Sequence, residues 1–121
     1  MSAGTRAPEC IFHLCRRTAW TAGQRNGRYD GGPDGKADGF LHLSTADQVI
    51  ESAAKHFAGA RDLLLLTVDP GALGPGLRWE ASRGGALFPH LYDDLPLDAV
   101  VAVEELPLGR DGAHVFPALS R

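Results

Sequence analysis

A short apolar run, LLLLTV at residues 63–68, constrains this chain more than any other stretch. Side chains alternate between the two faces of a strand, so a run that is apolar at nearly every position needs cover on both faces. We therefore predict a buried central strand over residues 62–69, with packed layers on either side. With 121 residues, of which 44% are hydrophobic, the chain is long enough for a single core of this kind.

The next strongest pattern is an amphipathic helix that begins near Ala46. Apolar residues recur there at the three- and four-residue spacing of one helix face. They are Val49, Ile50, Ala53, Ala54 and Phe57. Thr45 and Gln48 have the spacing of a capping box, with Ser44 as an alternative N-cap, and Gly59 is a suitable stop. Because helix N-termini attract anions, the residues just before this helix are candidates for a binding site.

Weaker patterns complete the predicted order of elements. Further strands are predicted over residues 10–15, 77–82 and 98–106. A short helix is predicted over residues 16–25, and residues 26–39 are so rich in Gly, Asp and Pro that they predict a long loop. Two prolines make residues 87–96 an irregular or edge segment. The fold class is therefore α+β, with mainly antiparallel sheets and two helices packed on them. We expect residues 1–9 to be disordered and residues 10–121 to form one domain.

Charge and cysteine content exclude several classes of function. A net charge of -3 and a pI near 5.9 give no basic surface, so we expect neither extended nucleic-acid binding nor attachment to an anionic membrane. No apolar run approaches the roughly 20 residues of a membrane helix, and the first residues lack the apolar core of a signal peptide. Cys10 and Cys15 lie too far apart along a strand to bridge each other. Two free thiols suit a reducing compartment, so we expect a cytoplasmic protein.

Several polar side chains interrupt the predicted strands, and they are the candidate site residues. His13 lies in IFHLC, His42 in FLHLS, Glu80 in RWEAS, and His90 with Tyr92 in FPHLYD. Strand alternation places the neighbouring apolar residues on the opposite face of each segment, so the polar groups are expected to line a cleft.

Aromatic residues supply a second signal, because a flat ring can stack on a ligand. Tyr29 lies in the glycine-rich loop, where burial is difficult, and we expect it, like Tyr92, to contact a ligand. Trp79 alternates with Leu77 and Ala81 and is expected to face the core.

An ordered set of motifs runs along the chain. It consists of IFHL, Trp20, GRYD, DGFLHLST, LLLLTVD, RWE and FPHLYDDLPLDAVV. This set resembles domain-of-unknown-function family 952 over residues 11–103, and the pairing of GFLHLS with FPHLY is its most specific part. The family pattern has glycine after the tyrosine of PHLY, where this chain has Asp93.

That family resembles the ADP-ribosyltransferase-like fold, in which two small antiparallel sheets form a cleft for NAD. The order of motifs is also similar to the catalytic half of the NAD-dependent RNA 2'-phosphotransferases. On that pattern His13 matches the first-strand histidine, and His42 and Ser44 match the second motif. The chain departs from it at Leu14 and Cys15, where those enzymes have Gly-Thr, and their arginine-rich N-terminal domain has no counterpart in this sequence.

The resemblance implies an NAD-using enzyme that cleaves the nicotinamide-ribose bond, with an unknown acceptor. Cleavage passes through an oxocarbenium-like state, so a carboxylate is needed to hold the ribose and to stabilise positive charge. Glu80 and His42 are the implied catalytic residues. The implied residues for binding NAD are His13, Ser44, Tyr29, His90 and Tyr92.

Two alternatives stay open. The first is a non-catalytic module that binds a nucleotide or another small ligand in the same cleft. The second is a metal-dependent hydrolase, because three histidines and one glutamate can form a first coordination shell for a divalent ion. Its ligands would be His13, His42, Glu80 and His90.

Overall fold

The computed structural model describes residues 9–32 and 38–119. Most of the predicted disordered segment, residues 1–8, lies outside this part of the chain. Within the described residues, eight strands and two α-helices of ten residues or more follow one another. The strands are β1 (Ile11–Arg16), β2 (Arg28–Tyr29), β3 (Leu41–His42), β4 (Leu63–Val68), β5 (Leu77–Ala81), β6 (Leu87–Leu91), β7 (Leu95–Pro96) and β8 (Val100–Glu105). The helices are α1 (Arg17–Asn26) and α2 (Ala46–His56). All strand pairs are antiparallel, so the predicted α+β class is confirmed.

The apolar run forms β4, the central strand of a sheet with the order β1-β4-β8. Its alternating side chains enter two separate core clusters. Leu64 and Leu66 pack in one cluster, and Leu63 and Leu65 pack in the other. Both faces of β4 are therefore covered, and the prediction of a buried central strand is confirmed.

Both predicted helices form. Helix α2 begins with a capping box, in which the Thr45 side chain accepts from the Gln48 amide and the Gln48 side chain accepts from the Thr45 amide. Val49 is fully buried, whereas Ile50 of the same predicted stripe is 53% exposed. Helix α1 ends at Asn26 and is followed by Gly27, whose φ of 79° is a left-handed conformation that glycine adopts without strain. Of the helices in the described residues, none is long and apolar enough to cross a membrane.

The segment predicted to be irregular or at an edge contains β6, which is the central strand of a second sheet with the order β3-β6-β5. The prediction is wrong for residues 87–91, because a proline removes only the N-H that would point to one neighbouring strand. The Pro89 carbonyl accepts a hydrogen bond from the Leu43 amide at 3.0 Å. The proline nitrogen faces the same side as its carbonyl, so the missing N-H removes one bond towards the chain after β3 and none towards β5. A central strand tolerates the missing N-H at that position.

The predicted loop over residues 26–39 contains β2, which pairs with β7 in a two-stranded sheet. Tyr29 on β2 is 1% exposed, so the expectation that this loop leaves it available to a ligand is wrong. The centroids of the Tyr29 and Trp20 rings lie 5.9 Å apart. Gly23 of α1 packs against Tyr29 so closely that a Cβ added at Gly23 would lie 3.0 Å from Cβ of Tyr29. Residues 33–37 of the loop lie outside the described part of the chain.

Trp79 is a second aromatic residue whose environment differs from the prediction. It is 38% exposed, and of its predicted inward face only Leu77 packs against the core. Strand β5 is an edge strand of its sheet. Trp79 and Ala81 are exposed although they share a face of this strand with Leu77.

Candidate functional site

One face of the β3-β6-β5 sheet carries most of the polar side chains that the sequence singled out. His42, His90 and Arg78 are direct partners across the three strands, so their side chains share a face. Glu80 returns to that face two residues further along β5, and Tyr92 does so just after β6. We call these five residues the site face.

Glu80 is the acceptor at the centre of the site face. Its Oε1 accepts hydrogen bonds from Nδ1 of His90 at 2.8 Å and from the hydroxyl of Tyr92 at 2.6 Å. The bond from Tyr92, followed by that from His90, lowers the pKa of the Glu80 carboxyl, and the bond to Glu80 raises the pKa of the Tyr92 hydroxyl. Glu80 is therefore a carboxylate at neutral pH, with a side chain that is 36% exposed.

His90 is oriented by this carboxylate. Because a carboxylate only accepts, the bonded Nδ1 carries a proton, and Nε2 is the ring nitrogen left to interact with another group. His90 is 4% exposed, and its buried Nε2 has no hydrogen-bond partner among the described residues. Leaving a buried polar atom unpaired costs about 1–3 kcal/mol. Such an atom calls for an explanation, and a ligand that bonds to it is one.

Phe40 covers His90. The Phe40 ring stacks on the imidazole, with the two ring centroids 4.1 Å apart. The centroids of the Phe40 and Tyr92 rings lie 5.1 Å apart. The segment just before β3 therefore places an aromatic ring directly over the buried histidine.

His42 forms the outer part of the site. Its Nε2 bonds to a carboxylate oxygen of Asp38 at 2.7 Å, and its side chain is 56% exposed. The centroids of the His42 and His90 rings lie 5.3 Å apart. An exposed imidazole and a buried one thus stand side by side on paired strands.

A cleft of about 940 Å³ opens beside these residues. Phe40 and Tyr92 line it together with residues of β2, β3, β6 and β7. This volume lies within the range of small-molecule sites. Because Phe40 contacts His90 and also lines the cleft, it connects the cleft with the buried imidazole.

His13 is not part of the site face, although it lies next to it. Its Nδ1 donates to the backbone carbonyl of His42 at 2.7 Å, and its Nε2 accepts from the hydroxyl of Tyr29 at 2.8 Å. His13 is 7% exposed, and burial lowers its pKa to about 4. Both ring nitrogens are engaged, so His13 connects β1 with β2 and β3. The expected convergence of the His13 and His42 side chains in one cleft is not what the structure shows.

Ser44 and Tyr29 are likewise placed in the interior. Ser44 is buried, with its hydroxyl 3.3 Å from that of Ser52, and its backbone pairs with Phe12 of β1. The N-terminus of α2 is occupied by its own capping box. The structure therefore assembles His42, Glu80, His90 and Tyr92 at the site but does not bring Ser44, Tyr29 or His13 to it.

Sequence reasoning missed Phe40, Asp38 and Arg78. The guanidinium of Arg78 lies over the Tyr92 ring, 5.1 Å from its centroid. Alternation places Phe40 on the face of His42 and Arg78 on that of Glu80, so this signal was present in the sequence. The hydrogen bond from His42 to Asp38 depends on the turn at residue 38, where strand alternation does not apply.

The four residues considered as metal ligands do not form a coordination shell. No group of three or more His, Cys, Asp or Glu side chains in the described part of the chain is arranged to hold a metal ion. His13 in particular has neither ring nitrogen free for a metal.

Comparison with known proteins identifies relatives. A family described as "Protein of unknown function (DUF952)" matches residues 14–103. Protein CC0527 from Caulobacter crescentus is 44% identical in sequence to this chain. Its crystal structure superposes with a TM-score of 0.83, and the match covers 88% of this chain and 93% of that chain. The solution NMR structure of the same protein is 45% identical, with coverage of 87% and 90% and a TM-score of 0.77. Among curated proteins, no significant match to the chain is found.

Proposed function

The chain belongs to the DUF952 family, whose name assigns no chemistry, and we propose from the site that it cleaves the N-glycosidic bond of a nucleotide, with NAD as the first candidate. The observation that carries this proposal is the ionised Glu80, held by His90 and Tyr92 beside a cleft lined with aromatic rings. An ADP-ribosyltransferase-like arrangement of the sheets and a cytoplasmic location are part of the same proposal.

Glu80 suits the charge that develops in such a reaction. As the bond between the ribose and the base breaks, its electron pair leaves with the base and positive charge grows on the ribose. A fixed carboxylate stabilises that charge most effectively where water is excluded. Both observed bonds fall on Oε1 of Glu80, so Oε2 is the atom that would accept a bond from a ribose hydroxyl.

His90 would act on the acceptor. The acceptor hydroxyl, or water, forms the new bond to the ribose and loses its proton, and Nε2 of His90 has the lone pair that would take it. Phe40 must move aside for this contact, because its ring covers the imidazole. His42, exposed at the edge of the site, would position the acceptor or the leaving base.

A non-catalytic module that binds a nucleotide or another small ligand is the second candidate. The observation that favours it is the engagement of both ring nitrogens of His13, the residue that the family resemblance assigns to NAD. A protein that lacks this contact can use the cleft for binding without turnover.

An assay of nicotinamide release from NAD tests both candidates. Wild-type protein should release nicotinamide, and Glu80→Gln, which preserves shape but removes the charge, should lower kcat by about 100- to 1,000-fold. Glu104→Gln makes the same change at an exposed position of β8 and should leave turnover unchanged. Binding of NAD without turnover would support the second candidate, and absence of both binding and turnover would refute NAD as the ligand.

A further inference from the structure

Phe40 packs against three side chains of the site face. Its ring stacks on that of His90 at an interplanar angle of 28°. The ring centroids of His42 and Tyr92 lie 4.7 and 5.1 Å from that of Phe40. All these contacts come from one side chain in the bend just before β3. The Phe40 ring therefore closes the site face over His90.

The closed ring shields an imidazole that is otherwise ready to act. His90 is 4% exposed, and its buried Nε2 has no hydrogen-bond partner among the residues that the structure describes. Buried nitrogens are normally paired, as Nδ1 of the same ring is with Glu80. Nε2 is thus held in a fixed orientation but is shut off from bulk water while Phe40 stays in place.

The Phe40 ring has room to turn away from His90. The residue is half-buried and also lines the open cleft of about 940 Å³. Gly39 precedes it with a φ of 83°, and, its chain neighbours aside, no described atom lies within 4 Å of the position that a Cβ would take. Glycine adopts this conformation and its alternatives without strain. A turn of Phe40 towards the cleft would uncover Nε2 while β3 and β6 stay paired.

This cover matters for the proposed reaction because two nucleophiles compete for the ribose. When the bond between ribose and base breaks, the base leaves with the electron pair and an oxygen forms the new bond. Attack by water is hydrolysis, and attack by an acceptor hydroxyl is transfer. In both cases the attacking O-H loses a proton, which Nε2 of His90 would take. An enzyme that transfers the group has to keep water from this base.

We propose that Phe40 is a specificity-determining residue, which favours transfer over hydrolysis by covering His90 until an acceptor displaces it. This inference rests on the proposed function and deepens it, because it assigns the chain to transfer to an acceptor rather than to hydrolysis of NAD. An acceptor bound in the site can replace the contacts of the Phe40 ring with His42 and Tyr92, whereas a single water molecule cannot.

Release of nicotinamide at saturating NAD, without an added acceptor, tests the inference. Phe40→Ala uncovers the imidazole and should raise kcat for hydrolysis by roughly tenfold or more over the slow wild-type rate, since a positioned base contributes about 10²–10⁴-fold. Phe40→Leu, a milder change that guards against loss of folding, should give a smaller increase. Phe40→Tyr keeps a stacked ring and should restore the wild-type rate. Leu87→Ala removes an apolar side chain that is 57% exposed and should leave the rate unchanged.

Crystal structures of the wild type and of Phe40→Ala add a readout that does not depend on turnover. A water molecule should lie within about 3.2 Å of Nε2 of His90 in the variant and not in the wild type. A water bonded to Nε2 beneath an intact Phe40 ring would overturn the inference. Hydrolysis by Phe40→Ala at or below the wild-type rate, with turnover that still depends on Glu80, would also overturn it and leave the proposed function standing. No nicotinamide release by either protein would overturn both.

Discussion

Acidification should destabilise this protein through His13. Burial lowers the pKa of His13 to about 4, whereas a histidine in an unfolded chain has a pKa of about 6.5. Between these values the unfolded state binds the proton and the folded state does not. The free energy of unfolding is therefore highest above about pH 6.5 and falls as the pH drops towards 4. The gap between the two pKa values corresponds to roughly 3 kcal/mol, at ~1.36 kcal/mol for each pKa unit.

Urea unfolding between about pH 7.5 and pH 4.5 measures this loss. The wild-type protein should lose stability across the window, and His13→Gln should lose less because it has no imidazole to protonate. His56→Gln, which removes an exposed imidazole at the end of α2, should behave like the wild type. An NMR titration of the His13 ring gives an independent reading. Equal pH dependence in His13→Gln and wild type, or titration of His13 near pH 6.5, would refute the reasoning.

Three further predictions concern single side chains. Tyr29→Phe removes the hydroxyl that donates to the buried His13 and should lower the free energy of unfolding by about 1–3 kcal/mol; an unchanged urea midpoint would contradict the role of this bond. Trp79→Ala should lower the free energy of unfolding by less than about 1 kcal/mol because the ring is exposed, whereas Leu65→Ala in the core should lower it by about 2–5 kcal/mol. Urea unfolding of both variants compares them, and a larger loss of stability for Trp79→Ala would contradict the surface position of this ring. Glu80→Gln should lower the pKa of Tyr92, since the carboxylate raises it; a titration of phenolate absorbance that is identical to wild type would contradict the observed bond.

Local patterns were sufficient for the elements whose stability is decided within a short segment. The capping box of Thr45 and Gln48 and the apolar run of β4 carry their own signals. Pro89 carried no such local signal, because its effect depends on which neighbouring strand its nitrogen faces. Tyr29 was misjudged for a similar reason, since the two-residue strand β2 exists only through pairing with β7, far along the chain.

The site was predictable as a set of residues but not as a set of bonds. Alternation placed Glu80, His90 and Tyr92 away from their apolar neighbours, and the register of β5 against β6 then brought them within hydrogen-bond distance. His13 shows the same alternation, yet both faces of β1 are covered. Burial of a second face depends on tertiary packing, which a single strand pattern does not contain.

A crystal structure of Glu80→Gln soaked with NAD tests the central claim most directly. This variant should bind NAD without consuming it, so the intact molecule is expected in the cleft. We predict the nicotinamide ring beside Phe40 and Tyr92, with its ribose next to residue 80 and within reach of Nε2 of His90. NAD bound elsewhere, or a site face that stays unchanged and empty at a saturating concentration of NAD, would contradict the account.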